Sequence, residues 1–142
     1  MEYVELKNSD LFFIEALLNV DMNRKDNKNR MKFLRYITPH IKVANEKRDA
    51  LHEKYAKKDE TGAKVIGPTG LVEWESPEAE AEATKEFKDL MDSNIRIDVT
   101  EANSRIFDKG MDLFKHTEKL LGINDGEVYE RILEAFGVEE EE

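Results

Sequence analysis

Cysteine is absent from this sequence, and that absence removes disulfides, thiolate nucleophiles and Cys-ligated zinc in one step. Histidine is scarce: His40, His52 and His116 lie far apart and never form a His-x-x-x-His pair, so no metal centre is expected. The serines Ser9, Ser76, Ser93 and Ser104 sit at element boundaries, and no Gly-x-Ser-x-Gly motif surrounds any of them. No Gly-x-x-x-x-Gly-Lys loop offers a cradle for phosphate; Gly67-Pro68-Thr69-Gly70 lacks the lysine that would complete one. Asn124-Asp125-Gly126-Glu127 lacks the flanking ligands of a calcium loop and is expected to be a turn between helices. No catalytic residue, cofactor or metal is therefore expected, and the chain is read as a protein that is not an enzyme. Long apolar runs are missing too. Leu11–Ile14 and Ala16–Leu18 are too short to span a bilayer, and Met1–Glu5 carries no signal-peptide core. No membrane partner is expected, and the expected location is the cytoplasm.

What is present is charge on a helical frame. Charged residues make up 38% of the 142-residue chain and hydrophobic residues 39%, with a net charge of −10. Periodic apolar positions argue against wholesale disorder. The length fits one domain, expected over residues 1–137, with 138–142 as an acidic flexible tail. The charge is unevenly spread. Asp21 to Arg48 carries nine Lys/Arg and three acids, a local +6 that leaves −16 for the rest. Most of such a surface repels polyphosphate, so nucleic acid is not the expected partner.

The expected fold is mainly α. Glu2–Leu6 alternates polar and apolar residues and suggests a short strand, followed by a helix over Ser9–Asn19. Asp21–Asn29 is rich in Asn and Lys and suggests a loop or frayed helix start. A long helix then runs to about Lys57. Leu34, Ile37, Ile41, Ala44, Arg48, Leu51 and Tyr55 step by three and four, a heptad seam of coiled-coil type interrupted at Arg48. Pro39 is expected to kink or split it near Thr38. Lys64–Ile66 and Leu71–Trp74 flank Gly67–Gly70 and suggest a small β-hairpin or paired loop. Ser76-Pro77-Glu78 starts a helix to Ser93, whose apolar face suits packing back on the seam. The result is a long antiparallel helical hairpin with a small β-hairpin or loop at its tip. A second copy of the chain could use the same seam, so a homo-oligomer remains an alternative. Ile95–Val99 alternates strictly and can pair with Tyr3–Leu6 as a minor two-strand element. C-terminal helices follow: one capped by Thr100, with Leu120 and Leu121 on its core side and Gly122 at its end, and a last one stopped by Gly137. No repeat beyond the heptad seam stands out.

Two features suit partner binding. Arg24, Lys25, Lys28, Arg30, Lys32 and Arg35 form a basic start to the long helix, either a docking patch or a solvated face that offsets the acidic helices. Trp74 stands among Val65, Ile66, Leu71 and Val72, as an exposed contact patch or as a small satellite core.

The order of these features resembles a known family. The leucine-rich first helix, the basic Arg24–Phe33 region, the helix end Leu51-His52-Glu53-Lys54-Tyr55-Ala56-Lys57-Lys58-Asp59-Glu60-Thr61-Gly62 and the terminal Tyr129-x-x-Ile132-Leu133-Glu134-Ala135-Phe136 carry the likeness. The sequence resembles a family of short helical proteins of unknown function from phages and prophages of Gram-positive bacteria. The resemblance implies a phage accessory protein without known catalytic residues. It would act through a protein partner from phage or host, in a structural, assembly or adaptor role. Its place would be the bacterial cytoplasm, or the virion if the role is structural. The alternative is a phage-encoded inhibitor of a host defence or DNA-binding protein. The acid-rich helix at Glu78, Glu80, Glu82 and Glu86 and the Glu139–Glu142 tail would then imitate nucleic-acid charge.

Overall fold

A computed structural model describes residues 2–117 and 121–138. Of the expected tail at 138–142, residues 139–142 lie outside the described residues, as does the core role given to Leu120, while Val138 packs against the core. The protein is mainly helical, with one small antiparallel sheet. Its elements are β1 (Tyr3–Lys7), α1 (Asn8–Leu17), α2 (Arg24–Tyr55), α3 (Pro77–Asp92), β2 (Asn94–Asp98), α4 (Ser104–Lys115) and α5 (Ile123–Ala135). They fall into two compact units. The first comprises the described parts of Met1–Ile41 and Asn94–Glu142, the second Lys42–Ser93, and α2 contributes to both.

The first unit holds a deep core. β1 and β2 pair antiparallel in the expected way, with Val4 opposite Ile97 and Leu6 opposite Ile95. Alternation turns Val4, Leu6 and Ile97 inward, while Tyr3 stays on the outer face under the Arg96 guanidinium. Leu11, Ile14, Leu17 and Leu18 recur at helical spacing and bury one side of α1. The Asp10 carboxylate accepts from the Lys7 backbone N–H (2.9 Å) and pairs with Arg131 of α5, tying the chain start to the last helix.

Phe33 of α2, Phe107 of α4 and Phe136 just after α5 meet edge to face, with centroids 6.1–6.2 Å apart. Gly110 lets α4 approach: a methyl group there would collide with the Phe33 ring. Asn103, itself buried, locks the turn before α4. Its amide donates to the Asp98 carbonyl (3.0 Å), and its side-chain oxygen accepts from the Thr100 N–H (2.7 Å). Gly137, at φ 69°, ends α5, with the Val138 N–H on the Leu133 carbonyl (2.9 Å).

Several local expectations need correction. Of the two readings of the polar Asp21–Asn29 stretch, the loop gives way to the helix start, because α2 begins at Arg24. Asn23 caps it: its side-chain oxygen accepts from the Asp26 N–H (2.8 Å), and its amide returns to the Asp26 carboxylate (3.2 Å). Pro39 does not split α2, which continues to Tyr55. Pro39 is exposed, so water can reach the Arg35 carbonyl that it leaves without a donor. Asn124–Gly126 is not a turn but lies within the first turn of α5. α4 ends at Lys115, short of Leu121.

The second unit is built differently. Its only fully buried hydrophobic residues, among those described, are Ala44, Ala56 and Ala83. Ser76 caps α3 as expected, its hydroxyl accepting from the Ala79 N–H (3.0 Å). Arg48, the interruption of the seam, is half-buried beside exposed Asp49. Between the helices, residues 56–74 form three short extended segments rather than one hairpin. The Lys57 N–H donates to the Glu73 carbonyl, the Glu73 N–H to the Val65 carbonyl and the Val65 N–H to the Lys57 carbonyl, each at 2.9 Å. Every segment therefore pairs with both others in a closed ring. Bridges at Ala56 with Trp74, Lys58 with Lys64 and Ile66 with Val72 flank it.

The three ring residues are eight positions apart, an internal repeat that the sequence reading missed. Its two turns are alike. Asp59-Glu60-Thr61-Gly62 and Gly67-Pro68-Thr69-Gly70 each close with an N–H from the glycine to the first carbonyl (3.0 Å in both). The glycines Gly62 and Gly70 take φ of 83° and 81°, the left-handed position that such turns require.

Candidate functional site

The basic stretch resolves into two groups. At about 100° per residue, Arg24, Lys25, Lys28, Lys32 and Arg35 fall within an arc of roughly 100° on α2. All five are exposed, and none forms an ion pair among the described residues. Asp26 falls outside the arc, engaged with Asn23. Arg30 falls on the opposite side and does a structural job. Its guanidinium donates to the Leu18 carbonyl (2.8 Å), the Val20 carbonyl (2.6 Å) and the Asn27 side-chain oxygen (2.7 Å). It thereby ties the turn that follows α1 to α2, sharing the Leu18 carbonyl with the Val20 N–H (3.0 Å). The expected six-residue patch is thus five surface cations and one structural tie. A broad recess of about 1070 Å³ lies beside Arg30, walled by Phe12, Leu18, Met22, Met31 and Leu34.

Where α2 and α4 cross, a smaller recess of about 350 Å³ is lined by Asn29, Lys32, Ala102, Arg105, Ile106 and Lys109. It holds three cations and no acid. Arg105 and Lys109, one helical turn apart on α4, were not singled out from the sequence. The signal for them is their four-residue spacing beside Gly110, the residue that brings α4 against α2.

Trp74 does not project. It is half-buried, its backbone bridged to Ala56 and its indole edge-on to the His52 ring at 5.7 Å. The large exposed apolar residues of this module, among those described, are instead Ile66 at 55% and Leu71 at 71%. They flank the Gly67–Gly70 turn, whose geometry the hydrogen-bonded ring fixes. The surrounding charges also have local roles. Lys58 pairs with Glu53 (3.3 Å) and Lys64 with the same carboxylate (3.8 Å). The Asp59 carboxylate accepts from the Thr61 hydroxyl (2.6 Å) and from the N–H groups of Thr61 (2.8 Å) and Ala63 (3.1 Å). The Thr61 hydroxyl first, then these amides, hold its pKa below the ordinary carboxylate value. Lys54 sits over the Tyr55 ring and pairs with Glu86 of α3 at 3.7 Å. Its bond with the Tyr55 side chain, and then the Glu86 charge, raise its pKa.

No group of three or more His, Cys, Asp or Glu residues suited to a metal occurs among the described residues. No described helix is long and apolar enough to cross a membrane. Comparison with protein families, curated proteins and solved structures gives no match.

Proposed function

We propose that this is a non-enzymatic phage accessory protein that binds another protein through the Ile66–Leu71 end of the 57–74 module. One observation carries the reading: two large apolar side chains stand 55% and 71% exposed on a turn held by a closed ring of backbone bonds. Exposed apolar groups on a rigid frame lose little freedom on docking. In the same reading, the Lys42–Tyr55 part of α2 and α3 form an antiparallel helical hairpin that carries this module. The Ala56–Trp74 bridge, the Glu75 N–H on the Tyr55 carbonyl (3.1 Å) and buried Ala44 and Ala83 support that arrangement. The phage assignment rests on the sequence resemblance.

The test is affinity capture from phage-infected host cells, with the wild-type chain and the Ile66→Asp/Leu71→Asp variant side by side. The expected result is a partner retained by the wild type and lost by the variant, with both folded by circular dichroism. Equal capture by both removes the tip as the contact.

Inhibition by acidic mimicry is the second reading, favoured by Glu78, Glu80 and Glu82, which are exposed and outside any ion pair among the described residues. Competition with duplex DNA for the captured partner at physiological salt separates the two. Displacement of DNA favours mimicry, and its absence ends that reading.

A further inference from the structure

We infer that the recess between α2 and α4 is a binding site for a small phosphate-type oxyanion, held by Lys32, Arg105 and Lys109 with Asn29 as a neutral donor. The inference starts from charge. This chain carries −10 overall, yet the recess gathers three cations and no carboxylate. None of the three forms an ion pair among the described residues. The five-cation arc of α2, which shares Lys32, adds to the positive potential and draws anions toward the opening.

The recess is built rather than accidental. Gly110 seats α4 against Phe33, which sets Lys109 and Lys32, the residues beside that contact, on the two walls. Asn103 pins the turn that carries Ala102 and leads into Arg105. The cations are therefore brought together by helix packing before any ligand arrives, which lowers the ordering cost of binding. Arg105 offers a planar fork suited to two oxygens, and the lysines offer point charges.

Size selects the class. A volume of about 350 Å³ holds on the order of ten waters, room for one tetrahedral anion and part of its hydration shell. The lining contains no aromatic side chain on which a base could stack, and the acidic remainder opposes a long polyanion. The ligand is thus free phosphate or a small phosphate monoester rather than a nucleic-acid strand.

The test follows backbone amide NMR signals of the full chain as inorganic phosphate, and separately a simple alkyl phosphate, is added at constant ionic strength with chloride as the balance. Saturating shifts centred on Asn29, Lys32, Arg105 and Lys109 are expected. Binding should weaken at least tenfold in the Lys32→Ala/Lys109→Ala variant, whose remaining spectrum checks that it is folded. Saturation by phosphate assigns the free ion, and tighter saturation by the alkyl phosphate assigns the ester; either supports the site. Shifts that never saturate, or that persist unchanged in the variant, overturn it. Binding of a short DNA duplex under conditions where neither phosphate binds overturns it as well.

Discussion

Phe33 and Lys57 stand for two ways of holding a chain together. Phe33 belongs to one core of fifteen buried hydrophobic residues, among those described, drawn from β1, β2, α1, α2, α4 and α5, and aromatic rings meet around it. Around Lys57, the fully buried hydrophobic residues of the described unit are alanines, and the order comes from backbone bonds closed into a ring. The first unit depends on side-chain volume. The second depends on backbone conformation, which leaves larger apolar groups such as Ile66 and Leu71 facing water.

The largest blow to the first unit should come from Phe33→Ala. Loss of a fully buried ring is expected to cost about 3–5 kcal/mol, read as a drop in the chemical denaturation midpoint of the first-unit signals. Gly110→Ala should cost about 1–3 kcal/mol by overpacking against the same ring, despite alanine's better helix propensity. A neutral or stabilising effect of that change would mean that α4 does not need its close approach to α2.

Gly70→Ala probes the other unit. Open space surrounds that position, so sterics with neighbours contribute nothing and only the left-handed backbone is penalised, by about 1–2 kcal/mol. The two glycine substitutions thus contrast packing with conformation. The smallest effect is the pH response of Asp59. Its carboxyl pKa is lowered in the folded state, so its contribution is present above the ordinary aspartate value of about 3.9 and is lost as the pH falls through the lower folded value. Asp59→Asn should remove that part of the acid dependence, seen by following the Thr61 and Ala63 amides by NMR over about four pH units centred on that value.

Much of the fold was legible because its signals are local. Strict alternation marked β1 and β2, Ser76-Pro77 marked the start of α3, and Gly137 marked the end of α5. The misses have physical reasons. The Asn23–Asp26 cap was hidden in a stretch whose asparagines read as loop formers. Lys57–Asp59 joins the ring through backbone groups, so its charged side chains gave no strand signal, and the eight-residue repeat shares only Thr-Gly at its turns. Arg30 looked like its basic neighbours, and only the position of the α1 end, ten to twelve residues upstream, turns it into a structural tie. Arg105 and Lys109 matter through helix packing, which a linear pattern does not display.

Hydrogen exchange at the amides of Lys57, Val65 and Glu73 tests the closed ring most directly. In the wild type the three should share one level of protection, and Gly70→Ala should lower all three together while leaving the Ile14 and Ile37 amides of the first unit unchanged. Protection lost only at Gly67 and at position 70, with Lys57 untouched, would contradict the account, because the three segments would then not be held as one unit.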